Sequence, residues 1–157
     1  MLLIFEFAKR QCANDGLTDI AEAETNRATI ARAMDAWAAG TGGPYDPLTD
    51  EAVWTISGNS LASKTYPSKE AFIAEVVRPF NARISARLIP SVHNMYADGD
   101  TVIAHFYAKG TARDGQPYAN SYAWILTLKD GRIVGAFAFF DAKAVDGFGT
   151  RVAPVAE

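Results

Sequence analysis

The stretch Tyr118–Asp141 reads Y-A-N-S-Y-A-W-I-L-T-L-K-D-G-R-I-V-G-A-F-A-F-F-D, and the rest of the chain is best read outward from it. Asp130-Gly131 lies between two alternating apolar runs. That pattern predicts a two-residue hairpin loop, because a type I′ turn needs φ > 0 at both central residues. In the register this sets, Lys129 faces Arg132, Leu128 faces Ile133, Leu126 faces Gly135, Trp124 faces Phe137, Tyr122 faces Phe139 and Asn120 faces Asp141. Strand side chains alternate, so all but the first pair share a face. That face is a wall of large aromatics ending in one amide and one carboxylate. The other face carries Ser121, Ala123, Ile125, Ala136, Ala138 and Phe140. An aromatic wall with a carboxylate at its rim suits a small-molecule pocket; it equally suits a plain core with a wet end.

Upstream, Leu88–Tyr96 is expected to turn at Asp98-Gly99 into Thr101–Lys109. This register puts Met95 opposite Val102 and His93 opposite Ala104, on one face with Phe106. His93 is then the inward histidine, and His105 lies outside with Val92, Ile103 and Tyr107. Before the strands come helices. Thr18 or Asp19 can cap one running to about Ala39, with Ile20, Ala23, Ala28, Ile30, Ala31, Met34, Trp37 and Ala38 as its apolar stripe. Gly40-Thr41-Gly42-Gly43-Pro44 ends it, reading as a terminator rather than a phosphate cradle. Asp46-Pro47-Leu48 reads as a turn, Thr49–Glu51 as a short helical turn and Val53–Ile56 as a strand. Ser68 caps a second helix, roughly Lys69–Ala86, which Pro79 should kink or divide. Residues 1–17 match no clear element, and 142–157 read as a tail. Helices followed by four antiparallel strands argue for one α+β domain, helices on one face of a curved sheet. Its core spans about 19–148, with 1–17 and 149–157 peripheral.

Composition narrows the function. The 157 residues are 49% hydrophobic and 21% charged, with a net charge of −3. There is no basic footprint for nucleic acid. The lone Cys12 and two histidines argue against a disulfide framework, a cysteine cluster or a multi-histidine metal site. No run approaches the roughly 20 apolar residues of a membrane span, so neither a membrane partner nor a metal is expected and a cytoplasmic protein is the default. No nucleophile elbow, phosphate loop or dinucleotide fingerprint is present, and no cofactor is expected.

The ordered motifs A-W-A-A-G, V-W-T-I-S-G, Y-P-S-K-E-A-F, Y-A-D-G-D-T-V, G-Q-P-Y-A-N-S-Y-A-W, K-D-G-R-I-V and F-F-D, over about Ala21–Phe148, carry a resemblance to a known family. The chain resembles the SnoaL-like branch of the nuclear transport factor 2 superfamily, which includes ketosteroid isomerase, scytalone dehydratase and polyketide cyclases. The resemblance implies an α+β cone of the cystatin-like, ketosteroid isomerase-like type. Its strongly bent, mainly antiparallel sheet would pack against N-terminal helices, with a ligand pocket in the mouth and usually a homodimer. Many relatives carry E-Y-x-D where this chain has A-F-F-D, so Ala138 replaces their Glu while Asp141 matches their Asp. In SnoaL-like cyclases an aspartate near the end of this last strand is an acid/base, and the resemblance carries that role to Asp141. The paired aspartates and arginine of the epoxide-hydrolase branch have no counterpart here.

Read from its residues, Asp141 beside Phe139 and across from Asn120 would be partly desolvated, which raises a carboxyl pKa and favours proton shuttling. Asn120 would orient it or donate to a substrate oxygen. His93 is a candidate second acid/base, against the alternative of a satisfied core or interface histidine. Trp54, Tyr66, Tyr122, Trp124, Phe137 and Phe139 are the candidate ligand-contacting aromatics. The leading expectation is cofactor-independent acid/base chemistry on a small apolar or cyclic molecule, of isomerase, dehydratase or cyclase type. The alternatives are a non-catalytic binder of such a ligand and a dimeric interaction module with a filled pocket. A homodimer is expected through the face bearing His105, Tyr107, Ser121, Ala123 and Ile125.

Overall fold

The computed structural model describes the backbone of residues 2–155 and the side chains of residues 15–155. Helix α1 (Leu2–Ala39) is followed by strands β1 (Leu48–Ile56) and β2 (Thr65–Tyr66). A broken helix comes next, made of α2 (Lys69–Phe72), a π turn (Ile73–Val77) and α3 (Arg78–Asn81). Strands β3 (Ile84–Asp98), β4 (Thr101–Ala112), β5 (Pro117–Lys129) and β6 (Arg132–Phe140) form the expected meander, and helix α4 (Ala142–Arg151) closes the chain. The six strands make one sheet in the order β2-β1-β6-β5-β4-β3.

Where the sequence reading holds, its reasons are visible. Asp130 and Gly131 have φ of 52° and 71°, as a type I′ turn requires, and Lys129 pairs with Arg132. Ser68 caps α2 by accepting from Ala71 N. Pro79 divides its helix. It has no N–H and would clash with the carbonyl four residues back, and the chain widens into the π turn just ahead of it. Gly40, at φ 74°, ends α1 with Gly40 N bonded to Trp37 O at 3.1 Å and Thr41 N to Ala36 O at 2.9 Å. These are the two bonds of a Schellman cap.

Several expectations are corrected. Helix α1 begins at Leu2, not near Thr18; Met1 lies outside the described residues. Residues 15–22 of that helix are exposed, Ile20 included, as is Ala28, and the inward stripe is Ala23, Asn26, Ile30, Met34 and Trp37. The turns expected at 46–51 are in part strand: β1 starts at Leu48 and runs parallel to β6, pairing Leu48 with Ile133 and Ile56 with Ala138. The second helix stops at Asn81, and β3 starts at Ile84 rather than Leu88. Residues 142–151 are helical, because Asp141 caps them and Phe148 is buried against the rings of Phe80 and Tyr118.

Two register corrections matter most. Between the pairs Leu128–Ile133 and Thr127–Gly135, β6 carries one residue more than β5. This bulge at Val134 flips the rest of the strand. Trp124 therefore faces Ala138, not Phe137, and Tyr122 faces Phe140, not Phe139. In the other hairpin the loop is Gly99-Asp100, and a bulge at His93 lies between the pairs Val92–Phe106 and Asn94–His105. Val102, Ala104 and Phe106 do face inward, fully buried.

Candidate functional site

The curled sheet and its helices enclose a cavity of about 570 Å³, within the usual range for ligand sites. Trp54 from β1 and Trp124 from β5 meet edge to face at 5.1 Å, and Trp54 stacks on Phe72 of α2 at 4.5 Å. Phe106 stacks on Tyr122 at 4.9 Å and touches Trp124 edge-on at 4.8 Å. Val76, Val77 and Phe80, around the π turn, form the opposite wall. Tyr45 reaches in from the loop after α1, packed on Trp54, Phe72 and Trp124.

The polar groups are few and connected. Asn120 is buried, and its amide clamps the backbone of Asp141: Oδ1 accepts from Asp141 N at 3.0 Å, and Nδ2 donates to Asp141 O at 3.1 Å. An N–H can only donate, so this pair fixes the amide's orientation. Nδ2 also donates to the Tyr118 hydroxyl at 3.2 Å, and that hydroxyl shares a 3.0 Å hydrogen bond with Tyr122. Two hydroxyl protons serve one bond between them, so one O–H remains for the cavity whichever way the bond runs. Burial pushes the phenols of Tyr45, Tyr118 and Tyr122 above their ordinary value, against two hydrogen bonds that pull Tyr118 down. They are neutral donors at physiological pH.

Of the residues expected at the site, Trp54, Tyr122 and Trp124 line the cavity. Asn120 sits beneath it, acting through Tyr118. Tyr66 is buried, but its hydroxyl donates to Ala62 O at 2.7 Å and does not line the cavity. The expected placements of Asp141, His93, Phe137 and Phe139 are corrected. The Asp141 carboxylate is exposed and accepts from Lys143 N and Ala144 N, the cap of α4. His93, turned by its bulge, lies outside beside His105 with ring centroids 5.4 Å apart. Phe137 and Phe139 point outward because of the bulge at Val134. Among the described residues no carboxylate or histidine lines the cavity. Sequence reasoning missed Tyr118, although it continues the even-numbered face of β5 two residues beyond Asn120. It also missed Tyr45, whose loop carries no periodic signal, and Phe140. Among the described residues no three His, Cys, Asp or Glu side chains gather to hold a metal, and no helix is long and apolar enough to cross a membrane.

A helix-backed, bent sheet with an aromatic cavity in its concave side defines the class of nuclear transport factor 2-like α+β proteins. The chain belongs to the SnoaL-like domain family, whose model matches residues 26–136. No curated protein sequence matches it. Solved structures share the fold. Bal32a, from a soil-derived mobile gene cassette, superposes with a TM-score of 0.65 at 23% identity, covering 81% of this chain and 98% of its own. A protein named as a candidate SnoaL-like polyketide cyclase from Jannaschia sp. CCS1 gives 0.63 at 22% identity over 79% of this chain and 90% of its own. One named as a candidate isomerase from Bacillus subtilis gives 0.56 at 25% identity over 82% and 93%.

Proposed function

We propose that this chain takes a small apolar or cyclic molecule into the cone and holds it by an acceptor oxygen, using the hydroxyl proton presented by Tyr118 and Tyr122. The observation that carries this reading is the Asn120–Tyr118–Tyr122 chain, polarised from a fixed amide and ending at an aromatic cavity. Linked hydrogen bonds strengthen one another in a low-dielectric setting, which suits a carbonyl oxygen that gains negative charge. Relatives named for isomerase and polyketide cyclase activities fit chemistry at a carbonyl. Among the described residues the lining holds no carboxylate or histidine, which favours binding and polarising the carbonyl over proton abstraction by Asp141 or His93.

Calorimetry with 1-tetralone and its hydrocarbon parent, tetralin, tests the reading. Tyr118→Phe and Tyr122→Phe combined should weaken the ketone by about 1–2 kcal/mol, a factor of roughly 5–30, and leave the hydrocarbon unchanged. Equal losses for both compounds would overturn it.

The convex face supports a homodimer. Tyr96, Ile103, Tyr107, Phe137 and Phe139 are exposed there together, an apolar surface of the kind that pairs with a second copy. Light scattering should give twice the 16.9 kDa chain mass; a monomer at all concentrations would refute this.

A further inference from the structure

The cavity has a second polar feature at its mouth, and the sheet is built to place it. Strands β3 and β4 pair Ala86 with Thr111 and Ile89 with Lys109, so Arg87 and Leu88 together oppose Gly110. Two residues against one make a β-bulge, which re-aims side chains. Gly110 permits it: a Cβ there would lie 2.7 Å from the Ala86 carbonyl oxygen and 3.1 Å from that of Arg87. Leu88 enters the core, while Arg87 lines the cavity beside Gly40, Gly42 and Asn81.

The guanidinium is fixed there. Arg87 Nη1 donates to Trp37 O at 2.7 Å and Nη2 to Ala38 O at 2.9 Å, at the C-terminal end of α1. These bonds use two of its five N–H donors. Among the described residues the ion pairs are Arg27–Glu24, Lys64–Glu75, Arg78–Glu70 and Arg151–Asp114, and none involves Arg87. Asp46, the carboxylate on the adjoining loop, is turned onto Gly43 N at 2.8 Å. Among the described residues lining the cavity Arg87 is thus the one charged group, a positioned cation with spare donors and no carboxylate counter-ion.

The spacing links this cation to the tyrosines. Gly110 faces the Arg87 bulge on one side and pairs with Tyr118 on the other. Arg87, Gly110 and Tyr118 therefore form a row across three strands, with the outer backbones about 10 Å apart.

We propose that the ligand is an apolar organic acid: its carboxylate sits on Arg87, its rings fill the aromatic cavity and its second oxygen accepts from Tyr118 or Tyr122. A planar guanidinium matches a carboxylate with paired hydrogen bonds. The idea rests on the tyrosine reading above, yet each end of the ligand is tested on its own. The probes are 4-benzoylbenzoate, its methyl ester and 4-benzylbenzoate, which lacks the ketone oxygen.

Wild-type protein should bind 4-benzoylbenzoate at least about tenfold more tightly than the ester. Arg87→Met should bring that ratio to about one while the double Tyr118→Phe/Tyr122→Phe variant keeps it. The double variant should instead lose the preference for the ketone over 4-benzylbenzoate. The acid-to-ester ratio of the wild type should also shrink as salt rises, a readout that survives if Arg87→Met fails to fold. A ratio near one in the wild type, one indifferent to salt, or one unchanged by Arg87→Met would overturn the carboxylate assignment. A missing ketone preference with the ratio intact would overturn only the tyrosine reading, and no binding of any probe would overturn both.

Discussion

On the concave face of the sheet Trp54, Phe106 and Trp124 are buried and locked edge to face. On the convex face Tyr96, Phe137 and Phe139 are 60%, 53% and 44% exposed, and among the described residues none of the three packs on another ring. Both faces are aromatic, so residue type alone does not say which is the pocket. Register does. One extra residue at Val134 hands the interior of β6 to Ala136, Ala138 and Phe140, and one at His93 hands that histidine to the exterior, beside His105.

The contrast can be broken by mutation, beginning where the effect is greatest. Phe106→Ala removes a fully buried ring at the centre of the aromatic network and should cost about 3–5 kcal/mol in chemical denaturation. A loss below 1 kcal/mol would mean the concave face is not the core. Asn120→Ala should come next, at about 2–3 kcal/mol, because it strands the Asp141 N–H and C=O and frees the Tyr118 hydroxyl. Asp141→Ala should cost only about 1 kcal/mol, the worth of a helix cap, with ketone binding unchanged. If calorimetry shows that it abolishes ketone binding, the exposed carboxylate acts in the site after all. On the convex side Phe137→Ser should change monomer stability by less than about 0.5 kcal/mol while shifting the light-scattering mass toward the monomer. The last effect is absent at neutral pH and appears only in alkali. The three cavity phenols titrate above their unfolded value of 10.0. The stability this represents is complete below pH 10 and drains away as pH rises further, since the unfolded chain then releases those protons first. Tyrosinate absorbance followed against unfolding should show these phenols ionising together with the loss of the fold, not before it.

Much of this was legible from residues. Asp130-Gly131 specified its own turn, Pro79 its own break, and the even positions of β5 their inward face, because each rests on local sterics or on a period of two. The β6 bulge left a trace in Gly135, an isolated glycine inside an apolar strand. The His93 bulge left none. The parallel pairing of β1 with β6 joins segments some 80 residues apart, beyond the reach of any local pattern. For the site, counting alternation found Tyr122 and Trp124 and reached Asn120. It assigned Asp141 to the rim because it treated β6 as continuous to its end. Arg87 was invisible for a related reason: its position depends on what the strand beside it lacks, a side chain at Gly110.

The pairing of β1 with β6 also sets an order on synthesis. Trp54 and Ile56 are made early, yet their strand neighbours Ala136 and Ala138 lie near the far end of the sheet. A ribosome must translate past residue 138 before β1 can join the sheet beside β6. Until then the aromatic half of the core is uncovered. The β3–β4 and β4–β5 hairpins, by contrast, can zip as soon as they emerge, because their contacts are local. The last strand made, not the first, is the one that turns this chain into a container.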